Sequence, residues 1–317
     1  MVAIWGGVFV GLVILLLAGD ALVKGAVNLS LRIGIPALIV SLTVVAFGTS
    51  APELLISIKA AMDNVPGIAL GNVVGSNTAN ILLVLGVPAL LAVMHTSECN
   101  TRKSYVIMLA ASVLFIGLAF RGVFDWIAGI VLLVVLAAIL GDSMREALAH
   151  RRAGQEVEDE EEPEGADPNM PWWKILLYLA LGLVGLPIGA DLLVDSSVEI
   201  ATLFGVSDTV IGLTLVALGT SLPELATTVM AALRRQADVA LGNVIGSNMF
   251  NLLAIIGVAS LIAPIPVDPE FLRFDLWVML GASLLIFPLV FLAKDLTRIW
   301  GVVLSALYLG YIALVIM

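Results

Sequence analysis

The chain has 317 residues, of which 61% are hydrophobic and only 13% are charged. Soluble domains carry about 45–50% apolar and about 25% charged residues, so this composition predicts an integral membrane protein whose first partner is the lipid bilayer. The net charge of −10 comes mostly from one acidic run, and no basic surface for nucleic acid is indicated. The single cysteine, Cys99, excludes an internal disulfide and a thiolate metal cluster.

Long apolar runs predict ten membrane-spanning helices of about 20 residues each. In chain order they are 3–26, 35–60, 66–93, 104–120, 123–141, 172–194, 206–232, 237–263, 273–292 and 297–316. The first run lacks the positive segment of a cleaved signal, which favours a first span. A polar linker, 142–171, separates a five-helix unit at 1–141 from another at 172–317. The predicted fold class is therefore an all-α membrane protein.

Span 2 contains the string GTSAPE at residues 48–53. Pro52 has no N–H, so the carbonyl of Gly48 loses its helical donor, and the glycine adds backbone freedom. We therefore expect the helix to bend or unwind near 46–50 and to leave carbonyls from Ala46 to Gly48 free for a ligand. Such irregular backbone is tolerated in a membrane only where it is buried in protein or lines a wet cavity.

A carboxylate follows the proline in the same string. Thr49 and Ser50 precede Glu53 by four and three residues, so both hydroxyls are expected near the face of the helix that carries the carboxylate. Ionisable residues within membrane spans are rare and are usually functional. A proline alone would indicate only a kink, but the combination indicates a polar site.

Span 3 contains a second string, GNVVGSN, at residues 71–77. Its side chains predict one polar and one small-residue stripe along the helix, formed by Asn72, Ser76 and Asn80 and by Gly71, Gly75 and Ala79 respectively. The small stripe permits close helix approach. The polar side chains have three possible roles. They could be hydrogen-bonded amides at a helix-packing surface, they could complete the coordination of a cation, or they could donate hydrogen bonds to the glutamate.

The polar linker and the loop charges predict the orientation. Residues 156–167 hold eight acids but lack the spacing of a calcium-binding loop, so a solvated linker is expected. Twelve of the 15 basic residues flank loops on the linker's side of the membrane, and only Lys59, Arg121 and Arg273 fall on the other. Since Lys and Arg accumulate in cytoplasmic loops, we expect a multi-pass cell-membrane protein with both termini outside and 142–171 inside.

The two halves repeat at a constant offset of 171 residues. Residues 43–54 correspond to 214–225, and residues 69–80 correspond to 240–251. Because each half has five predicted spans, the second half must enter the membrane from the opposite side. This predicts an inverted repeat, an architecture in which transporters place the substrate site at the midplane.

Asp20 also corresponds to Asp191 at the same offset. Each aspartate lies near a predicted span end, however, so an interfacial role is as good an explanation as function. For Asp20, the nearby Lys24 offers an ion pair.

The inverted repeat would bring Glu53 and Glu224 together, with Thr220 and Ser221 supplying the hydroxyls of the second copy. Two neighbouring carboxylates in a low-dielectric site cannot both stay ionised without a counter-charge. Neither motif contains Lys or Arg, which leaves protons or bound cations. Carboxylate, hydroxyl and carbonyl oxygens suit Ca²⁺, and Na⁺ is a hard cation that can use the same ligands.

With both motifs present twice, as GTSAPE with GNVVGSN and GTSLPE with GNVIGSN, the chain resembles the Ca²⁺/cation antiporter superfamily. It is most similar to the prokaryotic Na⁺/Ca²⁺ exchangers over nearly its full length. The resemblance implies a transporter, not an enzyme, that exchanges Na⁺ for Ca²⁺ by alternating access. Spans 1 and 6 would slide against spans 2, 3, 7 and 8. No cofactor and no obligatory protein partner are implied.

The resemblance also implies roles for individual residues. The implied cation-site residues are Glu53, Glu224, Thr49, Thr220, Ser50, Ser221, Ala46, Ala217, Ser76, Ser247, Asn80 and Asn251. The resemblance implies that both glutamates bind both ions. It also implies that the carbonyls of Ala46 and Ala217 and the hydroxyls of Ser76 and Ser247 bind Na⁺. Some relatives, including K⁺-dependent ones, carry aspartate at the position of Asn80 or at that of Asn251. Asparagine at both argues against K⁺ coupling and leaves the number of transported Na⁺ open.

Two other functions use the same residues. In an H⁺/Ca²⁺ antiporter, protons in place of Na⁺ would neutralise the glutamate pair. A passive cation channel would pass Ca²⁺ without a counter-ion, and the absence of a continuous polar lining argues against it. An intramembrane protease would need water and a peptide groove that no motif indicates.

Overall fold

The computed structural model describes residues 2–63, 66–153, 167–204 and 217–316, and these are mostly helical. The helices of the first half are α1 (Val2–Ile33), α2 (Ala37–Val40), α3 (Ala46–Thr49), α4 (Ala51–Met62), α5 (Pro66–Ala79), α6 (Gly86–Leu91), α7 (Arg102–Ala119) and α8 (Trp126–Ala153). Those of the second half are α9 (Trp172–Leu203), α10 (Ala217–Gly219), α11 (Leu222–Leu233), α12 (Ala237–Phe250), α13 (Ile256–Ile262), α14 (Pro269–Arg273), α15 (Asp275–Leu285), α16 (Phe287–Phe291) and α17 (Arg298–Ile316).

Short non-α segments join these helices. In the described part of the chain, three π-helical turns lie between these helices: π1 (Ser41–Val45), π2 (Asn80–Val84) and π3 (Asn251–Ile255). The short strands β1 (Val123–Phe124) and β2 (Ile265–Pro266) pair antiparallel, and an isolated β-bridge joins Met94 to Leu296. The strands and the bridge therefore tie loops of the first half to loops of the second.

The chain is a multi-span helical membrane protein, as predicted. Within the described ranges, eight helical segments are long and apolar enough to cross a bilayer, and nine if the bent pair 37–49 and 51–62 is one span. Predicted span 7, 206–232, lies partly outside the described residues, which resume at Ala217. Its described part includes the short apolar helix α11. The count of ten therefore stays a prediction.

Several helices run beyond their predicted ends. α1 reaches Ile33, α9 reaches Leu203, and α8 continues to Ala153, well into the segment predicted as linker. The extension of α8 is supported by Lys103 of α7, whose Nζ lies 2.7 Å from a carboxylate oxygen of both Asp142 and Glu146. Membrane thickness sets the apolar length of a helix but does not stop good helix formers from continuing into water. Most of the acidic run 156–167 lies outside the described residues.

The long helices α1 and α9 pack against each other along glycines. A Cβ on Gly11 would stand 2.7 Å from the backbone nitrogen of Leu193, and one on Gly189 would stand 2.9 Å from that of Leu15. Gly182 is equally close to Leu22. Small residues let membrane helices approach until their backbones touch, so these two helices form a tight pair beside the rest of the bundle.

Several corresponding elements of the two halves have the same bounds at the 171-residue offset. α4 and α11 correspond end to end, as do α5 and α12, and π2 and π3 start at Asn80 and Asn251. Residues alike in sequence therefore adopt alike local structure, including the two π-helical turns. Each motif of the first half therefore lies in the same kind of element as its counterpart in the second half.

Candidate functional site

The predicted break in span 2 lies at Ser50. α3 ends at Thr49 and α4 begins at Ala51, and the helical segment 37–49 is bent by 46° from the segment 51–62. Ser50 itself has φ −84° and ψ 7°, outside the helical range. Pro52 therefore stands in the first turn of α4, where its missing N–H removes no hydrogen bond. The bend expected near 46–50 is confirmed.

The same break places each glutamate at the start of a helix. Glu53 lies in the first turn of α4, and Glu224 lies in the first turn of α11, after Ser221 with φ −87° and ψ 1°. The N-terminus of a helix carries a partial positive charge that stabilises a nearby anion. The Pro–Glu sequence therefore does two things: the proline starts the helix, and the carboxylate uses the field at its beginning.

The Ala46 carbonyl is not free, contrary to expectation. It accepts hydrogen bonds from the backbone N–H of Ser50 at 3.1 Å and from Thr49 Oγ1 at 3.3 Å. Because Ala46–Thr49 is α-helical and the break comes only after it, at Ser50, the helical bond from residue 50 to residue 46 survives. Ala217, its counterpart, begins α10, and only its backbone is described.

The two carboxylates are fully buried but differ in their partners. Both glutamates have 0% exposure. Glu224 Oε1 accepts hydrogen bonds from Ser50 Oγ at 3.0 Å and from Ser247 Oγ at 3.4 Å. Both oxygens of Glu53 and the second oxygen of Glu224 accept none from any described residue. Burying a charge without compensation is costly, so these oxygens indicate a place for a cation or a proton.

Hydroxyls from the first motif reach across to the second half. Thr49 Oγ1 donates to Asn243 Oδ1 at 3.2 Å and lies 3.4 Å from Ser247 Oγ. Together with the bond from Ser50 to Glu224, these contacts join the two motifs into one buried polar cluster. The predicted meeting of the two copies is therefore present in the structure.

Two asparagines of the second motif brace the glutamate-bearing helices. Asn72 Nδ2 donates to the backbone carbonyl of Glu53 at 3.1 Å and to Ser57 Oγ at 3.0 Å. Asn243 makes the same pair of bonds in the second half, at 3.4 Å to the glutamate's carbonyl and 3.2 Å to Thr228 Oγ1. The amide groups thus donate to the backbone of each glutamate and hold the helix start in place.

Sequence reasoning missed Asn77 and Asn248. Asn77 Nδ2 donates to the backbone carbonyl of Asn248 at 3.2 Å, and Asn248 Nδ2 donates back to that of Asn77 at 3.4 Å. Asn80 Nδ2 also donates to Asn248 Oδ1 at 3.0 Å. The signal was available, because an amide repeated at the same motif position in two apolar spans requires a buried partner.

The remaining predicted residues also lie in or beside this cluster. Asn80 and Asn251 begin π-helical turns, which are frequent at functional sites, and the Asn80 Oδ1 and both amide atoms of Asn251 have no described partner. The Ser221 hydroxyl is likewise buried without one. Ser76 and Thr220 are buried and both line a cavity of about 430 Å³.

Taken together, the cluster offers oxygen atoms and no positive charge. The ion pairs found among the described residues all lie elsewhere. The buried oxygens of this cluster that have no described partner come from carboxylate, amide and hydroxyl groups of Glu53, Glu224, Asn77, Asn80, Asn251 and Ser221. Such neutral and anionic oxygen donors suit hard cations, and among the described residues of the cluster two carboxylates, Glu53 and Glu224, balance the charge of a cation.

Asp20 lies outside this cluster, in an ion pair network. Its carboxylate is 3.8 Å from Lys24 Nζ, the predicted pairing, and also accepts a hydrogen bond from Arg234 Nε at the end of α11. The network therefore ties α1 to the helix that carries Glu224. Asp191, its counterpart, is exposed.

We expect the half-buried pair between Asp20 and Arg234 to stabilise the fold more than an exposed pair does. A double-mutant cycle with Asp20→Asn and Arg234→Gln should give a coupling energy of about 1–2 kcal/mol in thermal denaturation, between the values typical of exposed and buried pairs. The exposed pair of Lys103 and Asp142 is the matched control and should give a clearly smaller coupling energy, because water and salt screen its charges. Equal coupling energies for the two pairs would contradict the expectation that the pair between Asp20 and Arg234 stabilises the fold more.

Comparisons with known proteins agree with the geometry. The family model described as sodium/calcium exchanger protein matches residues 3–142 and 174–317. The putative antiporter CaxA of Alkalimonas amylolytica is 37% identical over 313 residues, covering 96% of each chain. The sodium/calcium exchanger MaX1 of Methanosarcina acetivorans is 34% identical over 338 residues, covering 95% of each.

Solved structures of the sodium-calcium exchanger NCX_Mj have the same fold. The structure soaked with zero Na⁺ and Ca²⁺ has a TM-score of 0.84 at 33% identity, covering 99% of this chain and 100% of that one. The structure soaked with 2.5 mM Na⁺ and 1 mM Sr²⁺ gives 0.83 over 99% of both. Motifs, fold and overall similarity converge, and the chain belongs to the sodium/calcium exchanger protein family.

Proposed function

We propose that the protein is a secondary active antiporter that exchanges Na⁺ for Ca²⁺ across the cell membrane. The observation that carries this proposal is the pair of fully buried glutamates, three of whose four carboxylate oxygens have no described partner. The exchangers MaX1 and NCX_Mj, which share the fold or much of the sequence, support Na⁺ and Ca²⁺ as the competing ions.

Competition for one charged site is sufficient to couple the two ions. An uncompensated pair of buried carboxylates is too costly to carry across a dry barrier, so the empty site does not change sides. One Ca²⁺ or several Na⁺ each neutralise the pair, but they use the same oxygens and exclude one another. Access to the site then alternates between the two faces only when one kind of ion is bound.

The proposed ligand set follows the buried cluster. Glu53 and Glu224 carry the charge for both ions, and neutral oxygens complete the coordination, drawn from Thr49, Thr220, Ser50, Ser221, Ala46, Ala217, Ser76, Ser247, Asn80 and Asn251. The hydroxyls of Ser50 and Ser247 already face Glu224. Ala46 contributes only if its carbonyl accepts a cation in addition to its present donors.

The proposed architecture is two inverted five-helix repeats at 1–141 and 172–317, with ten spans in all. Reciprocal bonds between Asn77 and Asn248 and the matched bounds of the helices support a two-fold relation between the halves. The distribution of basic residues supports both termini outside and the linker inside the cell.

Counter-ion dependence tests the proposal. In proteoliposomes loaded with Na⁺, an outward Na⁺ gradient is expected to drive uptake of radioactive Ca²⁺, and a pH gradient without Na⁺ is expected to drive none. Uptake driven by the pH gradient alone would identify an H⁺/Ca²⁺ antiporter. Uptake without any counter-ion gradient would identify a passive channel, and either outcome would overturn Na⁺ exchange.

A further inference from the structure

Four buried asparagines meet where the two halves of the chain touch. Asn77 of α5 and Asn248 of α12 correspond at the 171-residue offset, as do Asn80 and Asn251, the first residues of π2 and π3. All four side chains are at most 1% exposed. At such depth each amide group needs a partner, because an unpaired polar group is costly to bury.

The contacts of Asn77 and Asn248 are symmetric in most respects. Each side chain donates to the other's backbone carbonyl, at 3.2 Å from Asn77 and at 3.4 Å from Asn248. Each Nδ2 also lies 3.8 Å from a methionine sulfur, that of Met279 for Asn77 and that of Met108 for Asn248. The two methionines correspond at the same offset, so the pair lies close to the axis that would relate two inverted repeats.

One amide bond breaks this symmetry. Asn80 Nδ2 donates to Asn248 Oδ1 at 3.0 Å. In the corresponding pair, Asn251 Nδ2 and Asn77 Oδ1 have no described partner, although Asn77 lies on α5 and α5 packs against π3. A bound cation would not satisfy Asn251 Nδ2, because an amide nitrogen is a donor and not a cation ligand.

The packing therefore permits only one of the two bonds at a time. The donor and the acceptor of the second bond are both buried, on neighbouring elements, and leaving both unpaired is costly. If the second bond were compatible with the first, it would form. Packed cores shift between discrete arrangements and do not deform continuously, so the two bonds fit two arrangements of the same core.

The carboxylates show the same asymmetry. Ser50 Oγ donates to Glu224 Oε1 at 3.0 Å. The corresponding hydroxyl, that of Ser221, has no described partner, and neither carboxylate oxygen of Glu53 accepts a bond from a described residue. In both places a donor of the first half is bonded to an acceptor of the second half, and the reverse bond is not made. The asymmetry thus belongs to the whole conformation and not to one side chain.

We propose that the two amide bonds alternate during transport. The bond from Asn80 to Asn248 belongs to the conformation of this structure, and a bond from Asn251 to Asn77 belongs to the conformation in which the site opens to the opposite face. In an inverted repeat the two-fold axis relates the two faces of the membrane, so a bond of one repeat in one state has its counterpart in the other repeat in the opposite state. The inference rests on the exchange function and the architecture proposed above. It adds two residues, Asn77 and Asn248, that set the balance between the states without binding the ion.

Two matched variants test the alternation. Asn248→Ala removes the acceptor of the present bond, and Asn77→Ala removes the acceptor of the alternative bond, while each variant loses one of the two reciprocal backbone bonds. Loss of a hydrogen bond should disfavour its own state by about fivefold. When only the loaded site changes sides, the ratio of the half-saturation constants for Ca²⁺ at the two faces follows the equilibrium between the two loaded conformations. This ratio should therefore change by about fivefold in each variant, in opposite directions.

Ca²⁺ self-exchange in sealed membrane vesicles, right-side-out and inverted, measures the ratio. The double variant should return to within about twofold of the wild-type ratio, because it weakens both states alike. Asn77→Thr and Asn248→Thr keep nearly the same volume, and their hydroxyls can bond back to their own helix. They should give the same opposite changes, and they provide the test if an alanine variant does not fold.

Ratios that move in the same direction in the two single variants, or that do not move, would overturn the alternation and leave both asparagines with a packing role only. Exchange itself would then be unaffected as a proposal. If the wild-type protein shows no Na⁺-driven Ca²⁺ uptake, the proposed function fails instead, so the two failures are distinguishable.

Discussion

Replacing either Glu53 or Glu224 with glutamine should reduce Na⁺-driven Ca²⁺ uptake by at least about 100-fold, which corresponds to about 2.7 kcal/mol or more. Each side chain is fully buried, and neither GTSxPE motif contains another acid. Glutamine preserves the shape but removes half of the negative charge that balances Ca²⁺. Uptake of radioactive Ca²⁺ into Na⁺-loaded proteoliposomes measures the loss.

The same variants should remain folded, because glutamine places no new charge in the bundle. In detergent, wild-type protein should gain about 2.7 kcal/mol of stability when Ca²⁺ is present at one hundred times its Kd, and both variants should lose this protection. Glu98→Gln, at an exposed position, is the matched control and should keep both uptake and protection. Near wild-type uptake by either buried variant would contradict the proposed site.

The repeated strings were sufficient to predict the buried polar cluster around the two glutamates. Proline followed by glutamate in a span predicts a helix break with a carboxylate beside it, and the structure places a helix start at both copies. The recurrence of the strings predicted that the copies would meet, and Ser50 does contact Glu224. Local features of this kind can be predicted from the sequence because each residue acts on neighbours within one helical turn.

The differences between the two copies of the motif could not be predicted from the sequence. The two motifs are nearly identical, yet Glu224 accepts two hydroxyl bonds while Glu53 accepts none from the described residues. Which hydroxyl turns towards which carboxylate depends on how α3 and α12 pack, and no local pattern encodes that. The π-helical turns at Asn80 and Asn251 were missed for a similar reason, since a change from i+4 to i+5 bonding has no simple residue signature.

Packing also decides which glycines cannot change. A Cβ on Gly246 of α12 would stand 2.6 Å from both the carbonyl oxygen of Leu42 and the Cβ of Ala46. Neither contact can be relieved by rotating a flexible side chain. We expect Gly246→Val to lower the free energy of unfolding by about 3 kcal/mol or to prevent folding, because overpacking against backbone forces helices apart. Thermal denaturation of the purified protein in detergent measures the loss.

Gly117→Val is the matched control, since Gly117 lies on an exposed face of α7 and a Cβ added there would have no described atom within 4 Å. It replaces a helical glycine by the same β-branched residue, so it shares the change in helix propensity and lacks only the collision. Equal thermal midpoints for the two variants would show that α12 moves freely away from its neighbours.

The smaller substitution Gly246→Ala links this packing to the site. Its single methyl group still meets Leu42 and Ala46, so α12 must shift by several tenths of an ångström. That shift would lengthen the contacts from Thr49 to Asn243 and Ser247, now 3.2 and 3.4 Å. We therefore expect Gly246→Ala to fold and yet to bind Ca²⁺ more weakly, because the close approach of the helices sets the distance between the oxygens that we propose as ligands.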